Sequence, residues 1–304
     1  MKKNVLITGG TGFVGKHLTE LLINKGFSVS ILSRTEKPNT ADVFYYIWDV
    51  SKNFIDESAV IRADYIVHLA GENIADKRWT AQRKAQIVQS REQSIGLIYA
   101  VLKKSNKQLE AFISASGIGI YGAINGAEIC TESTLPANDF VGVTCQKWEA
   151  ATTLISNLSI RTVQIRTGLV LGKDDGFLKK LTPIFRLGLG SALGSGKQYM
   201  PWIHIDDLCT IYLEALNNVK MAGAYNAAIN DATTNTIFSK TLAKVYGYSI
   251  WLPNVPSFLI KIAMGEMAQI ILTGRRVSSE KIEKVGFQFR YKKLEEALKD
   301  CVKL

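Results

Sequence analysis

A glycine-rich segment near the N-terminus constrains the fold of this chain more than any other feature. An apolar run over residues 5–8 leads into Gly9, Gly12 and Gly15, and a helical pattern follows over residues 16–24. Gly9 can adopt a positive φ, Gly12 has no Cβ to obstruct a pyrophosphate, and Gly15 allows the helix to pack closely on the strand. The N–H groups at the helix N-terminus favour phosphates. The pattern predicts a dinucleotide-binding turn, with a ligand-free tight turn as the alternative. The predicted contacts here are Gly9, Thr11, Gly12, Phe13 and Val14.

The end of the second predicted strand indicates which dinucleotide would bind. A free ribose 2′-hydroxyl calls for Asp or Glu at this point, whereas a 2′-phosphate calls for a guanidinium and small hydroxyls. The chain has Ser33, Arg34 and Thr35 here and no carboxylate. We therefore expect NADP(H) rather than NAD(H), and the alternative is that Arg34 is only a solvated surface charge.

Predicted strands and helices alternate along the rest of the N-terminal half. Further strands are expected over residues 43–48, 63–71, 111–114 and 160–166, and helices over about residues 81–104 and 145–156. This alternation predicts an α/β fold, a Rossmann-type doubly wound parallel sheet with a smaller C-terminal substrate lobe. We expect the nucleotide domain to comprise residues 1–175 with a return segment at 202–229, and the substrate lobe to comprise residues 176–201 and 230–304. Ligands of such sheets bind beyond the carboxyl ends of the strands.

Composition narrows the function classes. The chain has 304 residues, 47% hydrophobic and 21% charged, which is typical of an ordered globular protein. A signal-peptide core and an 18-residue apolar run are both missing from the sequence, so we expect a cytoplasmic protein without a membrane association. Four scattered cysteines and three histidines predict neither disulfides nor a metal site.

The net charge of +10 predicts anionic ligands. Basic residues occur in short pairs without a long run or an aromatic RNA-binding motif, so phosphorylated small molecules are expected rather than nucleic acid. Apolar residues at helical spacing over residues 253–272 are typical of a core helix or a subunit contact, which would make a homodimer.

Several motifs together resemble one enzyme family. The GxxGxxG spacing, the strand pattern of residues 64–71, Ser114 and Ser116 followed by Tyr121, and the His-x-Asp-Asp pattern of residues 202–208 resemble the extended branch of the short-chain dehydrogenases/reductases. Residues 71–91, 147–149 and 286–291 are similar to an atypical epimerase-like subfamily. Its members are usually described as sugar-nucleotide epimerases and carry a short C-terminal domain of unknown function.

The resemblance implies roles for individual residues. A structural role is implied for His204, and catalytic roles for Ser116 and Tyr121. Further cofactor contacts are implied for Asp49, Leu69, Ala70, Gly71, Glu72, Ser114, Cys145, Thr167, Gly168 and Val170. Substrate contacts are implied for Arg78, Trp79, Lys84 and Met200.

One departure from the family pattern affects the chemistry. Extended enzymes use a Tyr-x-x-x-Lys pair, in which lysine lowers the pKa of the tyrosine for proton transfer. Counting back from Glu149 places Val141 at the tyrosine position and Cys145 at the lysine position. Neither residue replaces the missing group in kind.

Three explanations stay open at this point. The acid/base group has moved, to Ser116, Tyr121 or the segment containing Arg78, Trp79 and Lys84; Tyr121 alternatively packs under the nucleotide. In the second explanation the fold binds NADP(H) and reports redox state without turnover. In the third it is a scaffold or interaction protein.

Overall fold

The structure is a computed structural model that describes residues 2–173 and 176–302. Twelve strands lie in this part of the chain: β1 (Asn4–Thr8), β2 (Ser28–Ser33), β3 (Val43–Asp49), β4 (Phe54–Ile55), β5 (Tyr65–His68), β6 (Ala111–Gly117), β7 (Gly126–Cys130), β8 (Thr162–Thr167), β9 (Leu169–Leu171), β10 (Trp202–His204), β11 (Gly223–Ala227) and β12 (Arg275–Val277). Its eleven α-helices are α1 (Phe13–Asn24), α2 (Glu57–Arg62), α3 (Ala81–Ser105), α4 (Phe140–Ser156), α5 (Gly176–Arg186), α6 (Ile205–Asn217), α7 (Asn235–Val245), α8 (Ser257–Met264), α9 (Gln269–Leu272), α10 (Glu280–Lys284) and α11 (Leu294–Cys301).

Eight strands form one sheet in the order β11-β8-β6-β5-β1-β2-β3-β4, and all its pairs are parallel except β3–β4. The chain leaves β1 toward β2 but returns to place β5 on the other side of β1. The connections after β1 and β5 therefore run to opposite sides and open a crevice between them, the usual ligand position in such sheets. This is the predicted Rossmann-type architecture.

The sheet is buried on both faces. Val5 and Ile7 belong to one apolar cluster together with Leu18 of α1, whereas Leu6 belongs to a second cluster together with Ile95 of α3. Neighbouring side chains of a strand point to opposite faces, so a continuous apolar run such as residues 5–7 is what a two-sided parallel strand requires.

The C-terminal segments are attached to the nucleotide-binding part at several points. Strand β12 pairs in parallel with β7. Asp207, near the start of α6, accepts hydrogen bonds from the backbone N–H groups of Arg290 (2.8 Å) and Tyr291 (3.0 Å). The predicted domain division stays a prediction, and its boundary at residue 175 lies outside the described residues.

Several elements differ from their predicted bounds. Helix α4 begins five residues before the predicted start because the Asp139 side chain caps it, accepting from the N–H of Gly142 at 2.8 Å. The helical pattern of residues 253–272 is divided at Gly265, whose φ of 61° ends α8.

Across residues 2–173 and 176–302, every helix is too short or too polar to cross a bilayer. The same described residues contain no group of three or more His, Cys, Asp or Glu side chains placed to hold a metal ion.

Candidate functional site

The glycine turn after β1 forms one wall of a cavity of about 290 Å³. Gly9 has a φ of 71°, and its carbonyl accepts from the N–H of Gly12 at 3.0 Å. A Cβ on Gly15 would lie 2.6 Å from the Cα of Gly10, so helix α1 can pack here only with glycine at position 15. A Cβ on Gly12 would meet only the Gly9 oxygen, at 3.3 Å, and would otherwise project into open space. Position 12 is therefore unfilled by protein, as a pyrophosphate cradle requires.

The cavity joins the ends of several strands. It is lined by Gly9, Gly12, Phe13, Val14, Gly15, Leu69, Ala115, Ser116, Thr167, Leu208 and Tyr212. Leu208 and Tyr212, which belong to α6, were not among the cofactor-binding residues predicted from the sequence. The His-x-Asp-Asp motif gave a signal for the start of this helix, but not for which of its faces meets the glycine turn.

The end of β2 presents the residues predicted to select the nucleotide. Ser33 is buried and its Oγ accepts from the N–H of Thr35 at 3.3 Å, whereas Arg34 and Thr35 are exposed. The nearest strand end with a carboxylate is that of β3, where Asp49 accepts from the N–H (3.0 Å) and Oγ (2.6 Å) of Ser51. These hydrogen bonds lower the pKa of Asp49. An exposed guanidinium beside small hydroxyls fits a 2′-phosphate.

A buried histidine supports the loop after β5. The Nδ1 of His68 lies 2.8 Å from the Oγ1 of Thr8, and its Nε2 lies 3.1 Å from the Oγ of Ser94. Complete burial lowers the pKa of His68 to about 3, so the ring is neutral. The Thr8 hydroxyl in turn accepts from the N–H of Ala70 at 3.1 Å. The predicted cofactor residues Leu69 and Ala70 are thus fixed at the edge of the cavity.

The next two predicted cofactor residues contact basic side chains. Gly71 lies against the guanidinium of Arg91, which donates to the Glu72 carbonyl at 3.0 Å and stacks over the Trp148 ring at 4.6 Å. The Glu72 carboxylate pairs with Arg83 at 2.7 Å. Gly71 and Glu72 therefore order the loop, and both lie outside the cavity lining.

Ser116, at the end of β6, both lines the cavity and contacts a buried ion pair. Its Oγ donates to the Oε1 of Glu149 at 2.7 Å. Arg166 binds the same carboxylate with two hydrogen bonds, at 2.8 and 2.9 Å. The arrangement fixes the Ser116 hydroxyl and leaves it within reach of a ligand in the cavity.

Tyr121 occupies the interior of this polar network. Its hydroxyl donates to the Oδ1 of Asn226 at 2.6 Å and accepts from Arg166 at 3.1 Å, and only 1% of the residue is exposed. Burial raises its pKa to about 12. A catalytic role for Tyr121 conflicts with this environment, because an acid/base tyrosine needs a lowered pKa and access to the substrate.

The two residues predicted to occupy the tyrosine and lysine positions, Val141 and Cys145, share one face of α4. Val141 and Cys145 both point at the end of β6 and the residues that follow it. A Cβ placed on Gly117 or on Gly119 would lie 3.7 Å from the Cys145 Sγ. Burial raises the pKa of Cys145 to about 12. The predicted cofactor contact of Cys145 conflicts with this position, because the thiol is buried against Gly117 and outside the cavity lining.

The strand ends on the far side of the cavity contribute unequally. Thr167 lines the cavity, while a Cβ on Gly168 would lie 2.7 Å from the Pro201 oxygen, so Gly168 permits close packing of the backbone. Val170 packs on the main apolar cluster. Ser114 is fully buried and donates to the Ala115 carbonyl at 2.9 Å, which conflicts with its predicted cofactor contact.

Two of the predicted substrate residues make structural contacts, Arg78 with helix α8 and Trp79 with helix α4. Arg78 donates to the carbonyls of Ala263 (2.8 Å) and Ile262 at the end of α8. Trp79 is buried edge-to-face against Phe140, at 4.7 Å between ring centroids. A direct substrate contact for Arg78 and Trp79 conflicts with these structural contacts.

Lys84 has a different position, because it forms an ion pair with Glu266 and lines a second cavity of about 810 Å³. This inter-lobe cavity is lined by Lys84, Asn125, Phe140, Ser195, Ser257, Lys261, Gly265, Glu266, Ala268, Gln269, Leu272 and Thr273. Met200 lies outside both cavities, with its sulfur 3.3 Å from the Nδ2 of Asn235, which conflicts with its predicted substrate contact.

His204 occupies a structural position. Its ring stacks on Tyr291 with 3.8 Å between centroids, its Nδ1 accepts from the N–H of Asp206 at 3.2 Å, and its Nε2 lies 3.4 Å from Asp300. The histidine therefore holds the C-terminal segment against α6, away from the cavity beside Ser116.

The doubly wound sheet and the glycine turn at its switch point define the class as a Rossmann-type nucleotide-binding fold. Comparison with known proteins specifies the family. Residues 5–228 match the model of the NAD dependent epimerase/dehydratase family, and residues 255–301 match a domain of unknown function, DUF1731. The chain belongs to the NAD dependent epimerase/dehydratase family.

Relatives match over nearly the whole length. The Epimerase family protein YfhF of Bacillus subtilis is 32% identical over 299 residues, covering 98% of each chain. The crystal structure of the human epimerase family protein SDR39U1 with NADPH has a TM-score of 0.88 and 31% identity, and covers 99% of each chain. A nucleoside-diphosphate sugar epimerase structure from Corynebacterium glutamicum has a TM-score of 0.80 and 30% identity, covering 99% of this chain and 58% of that one.

Proposed function

We propose that this chain binds NADP(H) in the cavity at the glycine turn and is an epimerase-like oxidoreductase of atypical type. The observation that carries the proposal is the open space at Gly12. Strand β2, which pairs with β1, ends in Ser33, Arg34 and Thr35 and has no carboxylate there. The NADPH bound by the human relative supports the choice of nucleotide.

Different residues would bind different parts of the nucleotide. Backbone N–H groups of Phe13 and Val14, at the start of α1, would hold the pyrophosphate, since the Gly12 N–H already donates to the Gly9 carbonyl. Ser33, Arg34 and Thr35 would hold the 2′-phosphate. The bound nucleotide would supply hydride transfer. The single Ser116 hydroxyl proton is donated to Glu149 in this structure, so Ser116 would have to turn its hydroxyl away from Glu149 to donate a hydrogen bond to a carbonyl oxygen in the cavity.

Among residues 2–173 and 176–302, the candidates for fast proton transfer do not fit that role. Val141 has no titratable group. Cys145 and Tyr121 stay protonated near neutral pH, because burial raises the pKa of each to about 12. General acid/base assistance contributes about a hundredfold to ten-thousandfold, so turnover without it is slow. We propose a nucleotide sugar or a small carbonyl compound as the substrate, in line with the sugar-nucleotide epimerase among its relatives.

A second candidate function follows from the same absence. A protein that binds NADP(H) and reports redox state to a partner needs the cradle but not the tyrosine–lysine pair. Binding without turnover across a broad panel of nucleotide sugars and carbonyl compounds would favour this candidate. Absence of any nucleotide-induced stabilisation would favour a scaffold role instead.

Titration calorimetry with NADPH and NADH tests the proposal. Wild type should bind NADPH more tightly, and Arg34→Ala should lose most of that preference while still binding NADH. Gly12→Val should fold normally, because its side chain enters open space, and should lose binding of both nucleotides. Equal affinity for both nucleotides in wild type, or normal NADPH binding by Gly12→Val, would refute the assignment.

A further inference from the structure

Acidic residues are distributed very unevenly along the C-terminal half of the chain. Residues 176–205 and 232–265 contain no Asp or Glu, although they contain seven Lys and Arg. The two segments include helices α5, α7 and α8. They lie outside the glycine cradle, so nucleotide binding does not explain their composition.

The two segments lie side by side in the structure. Trp251 Nε1 donates to the Gly188 carbonyl at 3.1 Å, and Ser191 Oγ donates to the Pro253 carbonyl at 2.6 Å. Helix α5 also contacts the end of α7, where the Tyr246 hydroxyl donates to Thr182 at 3.2 Å. The acid-free segments therefore adjoin at the turns that follow α5 and α7.

Large apolar side chains are exposed in this region. Leu187 is 71% exposed and Trp251 is 70% exposed, and the less exposed Leu189 and Tyr248 adjoin them. They are neighbours in space, because Gly188 contacts both the Tyr248 ring and the indole of Trp251. We call these four residues, Leu187, Leu189, Tyr248 and Trp251, the apolar tip. They occupy the connection after α5 and the connection after α7, so they project from two adjacent turns.

Cations flank the apolar tip without acidic partners. Arg186 directly precedes Leu187, Lys179 lies two turns earlier on α5, and Lys240 lies on α7. All three are exposed, and within residues 2–173 and 176–302 none of them forms an ion pair. Lys244 differs, because it pairs with Glu295 of α11 at 2.7 Å. The rim of the tip therefore carries uncompensated positive charge.

We propose that the apolar tip docks on an anionic lipid surface. Interfacial binding combines apolar and aromatic side chains inserted at headgroup level with basic residues that attract anionic lipids. Nucleic acid fits less well, because two of the four tip residues, Leu187 and Leu189, are aliphatic and cannot stack on bases. The sequence predicted no membrane association, because a surface built from two turns about 60 residues apart along the chain leaves no apolar run.

Vesicle co-sedimentation of the full chain tests this proposal. The probes are vesicles of phosphatidylcholine alone and of phosphatidylcholine mixed equally with phosphatidylglycerol. Wild type should bind only the anionic vesicles, and high salt should release it. Leu187→Ala with Trp251→Ala should weaken binding by about tenfold or more, because the insertable apolar area is lost.

Two further variants separate docking from folding. Leu187→Ser alone should also weaken binding, since this exposed side chain contributes little to stability. Leu135→Ala, at a residue 85% exposed far along the chain from the tip, is the matched control and should bind as wild type does.

Three results would overturn the proposal: no binding of wild type to anionic vesicles, equal binding to neutral vesicles, or undiminished binding of both tip variants. A wild-type dimer that the tip variants convert to monomer, without vesicle binding, would assign the tip to a contact between copies instead. Salt-sensitive binding to DNA or RNA with no binding to vesicles would likewise overturn it. NADPH affinity should be the same in all these variants, so a failure here leaves the nucleotide assignment untouched.

Discussion

At the scale of single residues, two glycines that lie in helices, Gly15 of α1 and Gly96 of α3, should respond differently to substitution. Gly15→Ala places a Cβ 2.6 Å from the Gly10 Cα, and backbone atoms cannot move aside cheaply. We expect Gly15→Ala to lower the free energy of unfolding by about 1–3 kcal/mol, measured by urea denaturation. Gly96→Ala is the control, because a Cβ there meets nothing within 4 Å inside helix α3 and should stabilise by about 0.5–1 kcal/mol. Unchanged stability of Gly15→Ala would contradict the close packing of α1 on the turn.

His68 should make stability depend on pH. Its folded pKa of about 3 is below the value of 6.5 that it has when unfolded, so between these values the unfolded chain binds the extra proton. Its stabilising contribution is complete above pH 6.5 and falls as the pH is lowered, by at most about 1.4 kcal/mol per pH unit.

The comparison variant for this pH effect is His68→Gln, which keeps a polar side chain and cannot titrate. Urea denaturation between pH 7 and 5 should show a shallower pH slope for His68→Gln than for wild type. This window lies above the range in which carboxylates titrate. His204, whose pKa is also lowered by burial, contributes in the same direction in both proteins. Identical slopes would show that His68 does not titrate differently in the two states.

At residue level, the positions of the glycine turn and of the end of β2 were predictable because their signals are local, and the ligand contacts of these residues stay predictions. The glycine turn and the Ser33–Arg34–Thr35 strand end each lie in one short stretch, and the backbone requirements of a strand-to-helix turn determine them. Tyr121 had no such signal, because its partners Asn226 and Arg166 are 105 and 45 residues away. Only the sheet, which brings β8 and β11 side by side, shows that its hydroxyl is enclosed.

At the scale of elements, helix α4 allows a test of the predicted absence of the tyrosine–lysine pair. Cys145 is only 6% exposed, and the positive charge of Arg91 lies close enough to affect its pKa. A lysine at this position would bury a second cation beside Arg91. We expect Cys145→Lys to lower the free energy of unfolding by about 3–5 kcal/mol, the usual cost of an uncompensated buried charge.

Cys145→Met is the matched control for that substitution, because methionine has comparable length without charge and should cost less than about 3 kcal/mol. Combining Val141→Tyr with Cys145→Lys would therefore not recover ordinary epimerase rates in a stable protein. A double variant as stable as wild type, with a pH–rate profile showing an activated tyrosine, would contradict this account of α4.

Element positions were predictable where the pattern was long. Helix α3 was expected over about residues 81–104 and occupies Ala81–Ser105, because its long apolar stripe and two terminal lysines mark it clearly. The start of α4 at Phe140 was not predicted. Asp139 caps the helix, but the Phe140-Val141-Gly142 sequence that follows it does not distinguish a helix from a loop. The division at Gly265 was missed because the apolar spacing continues on both sides of the glycine.

At the scale of the whole molecule, the nucleotide cavity is built from distant parts of the chain. Its lining includes the glycine turn after β1, Ser116 of β6, Thr167 of β8, and Leu208 and Tyr212 of α6. The C-terminal lobe is joined to this body through β7–β12 pairing and through the hydrogen bonds of Asp207. A ligand in the cavity therefore contacts residues that are far apart in the sequence. These residues lose contact with one another, and with the ligand, when the chain unfolds.

We accordingly expect NADPH to stabilise the entire chain. Ligand that binds only the native state adds about 2.7 kcal/mol at a concentration of one hundred times Kd, so the melting temperature should rise with the logarithm of NADPH concentration. Scanning calorimetry should show one transition that moves as a whole, with a smaller shift for NADH and for Arg34→Ala with NADPH. A second transition that does not move with NADPH would show that the C-terminal lobe unfolds independently of the nucleotide domain, despite its hydrogen bonds to Asp207 and its strand pairing with β7.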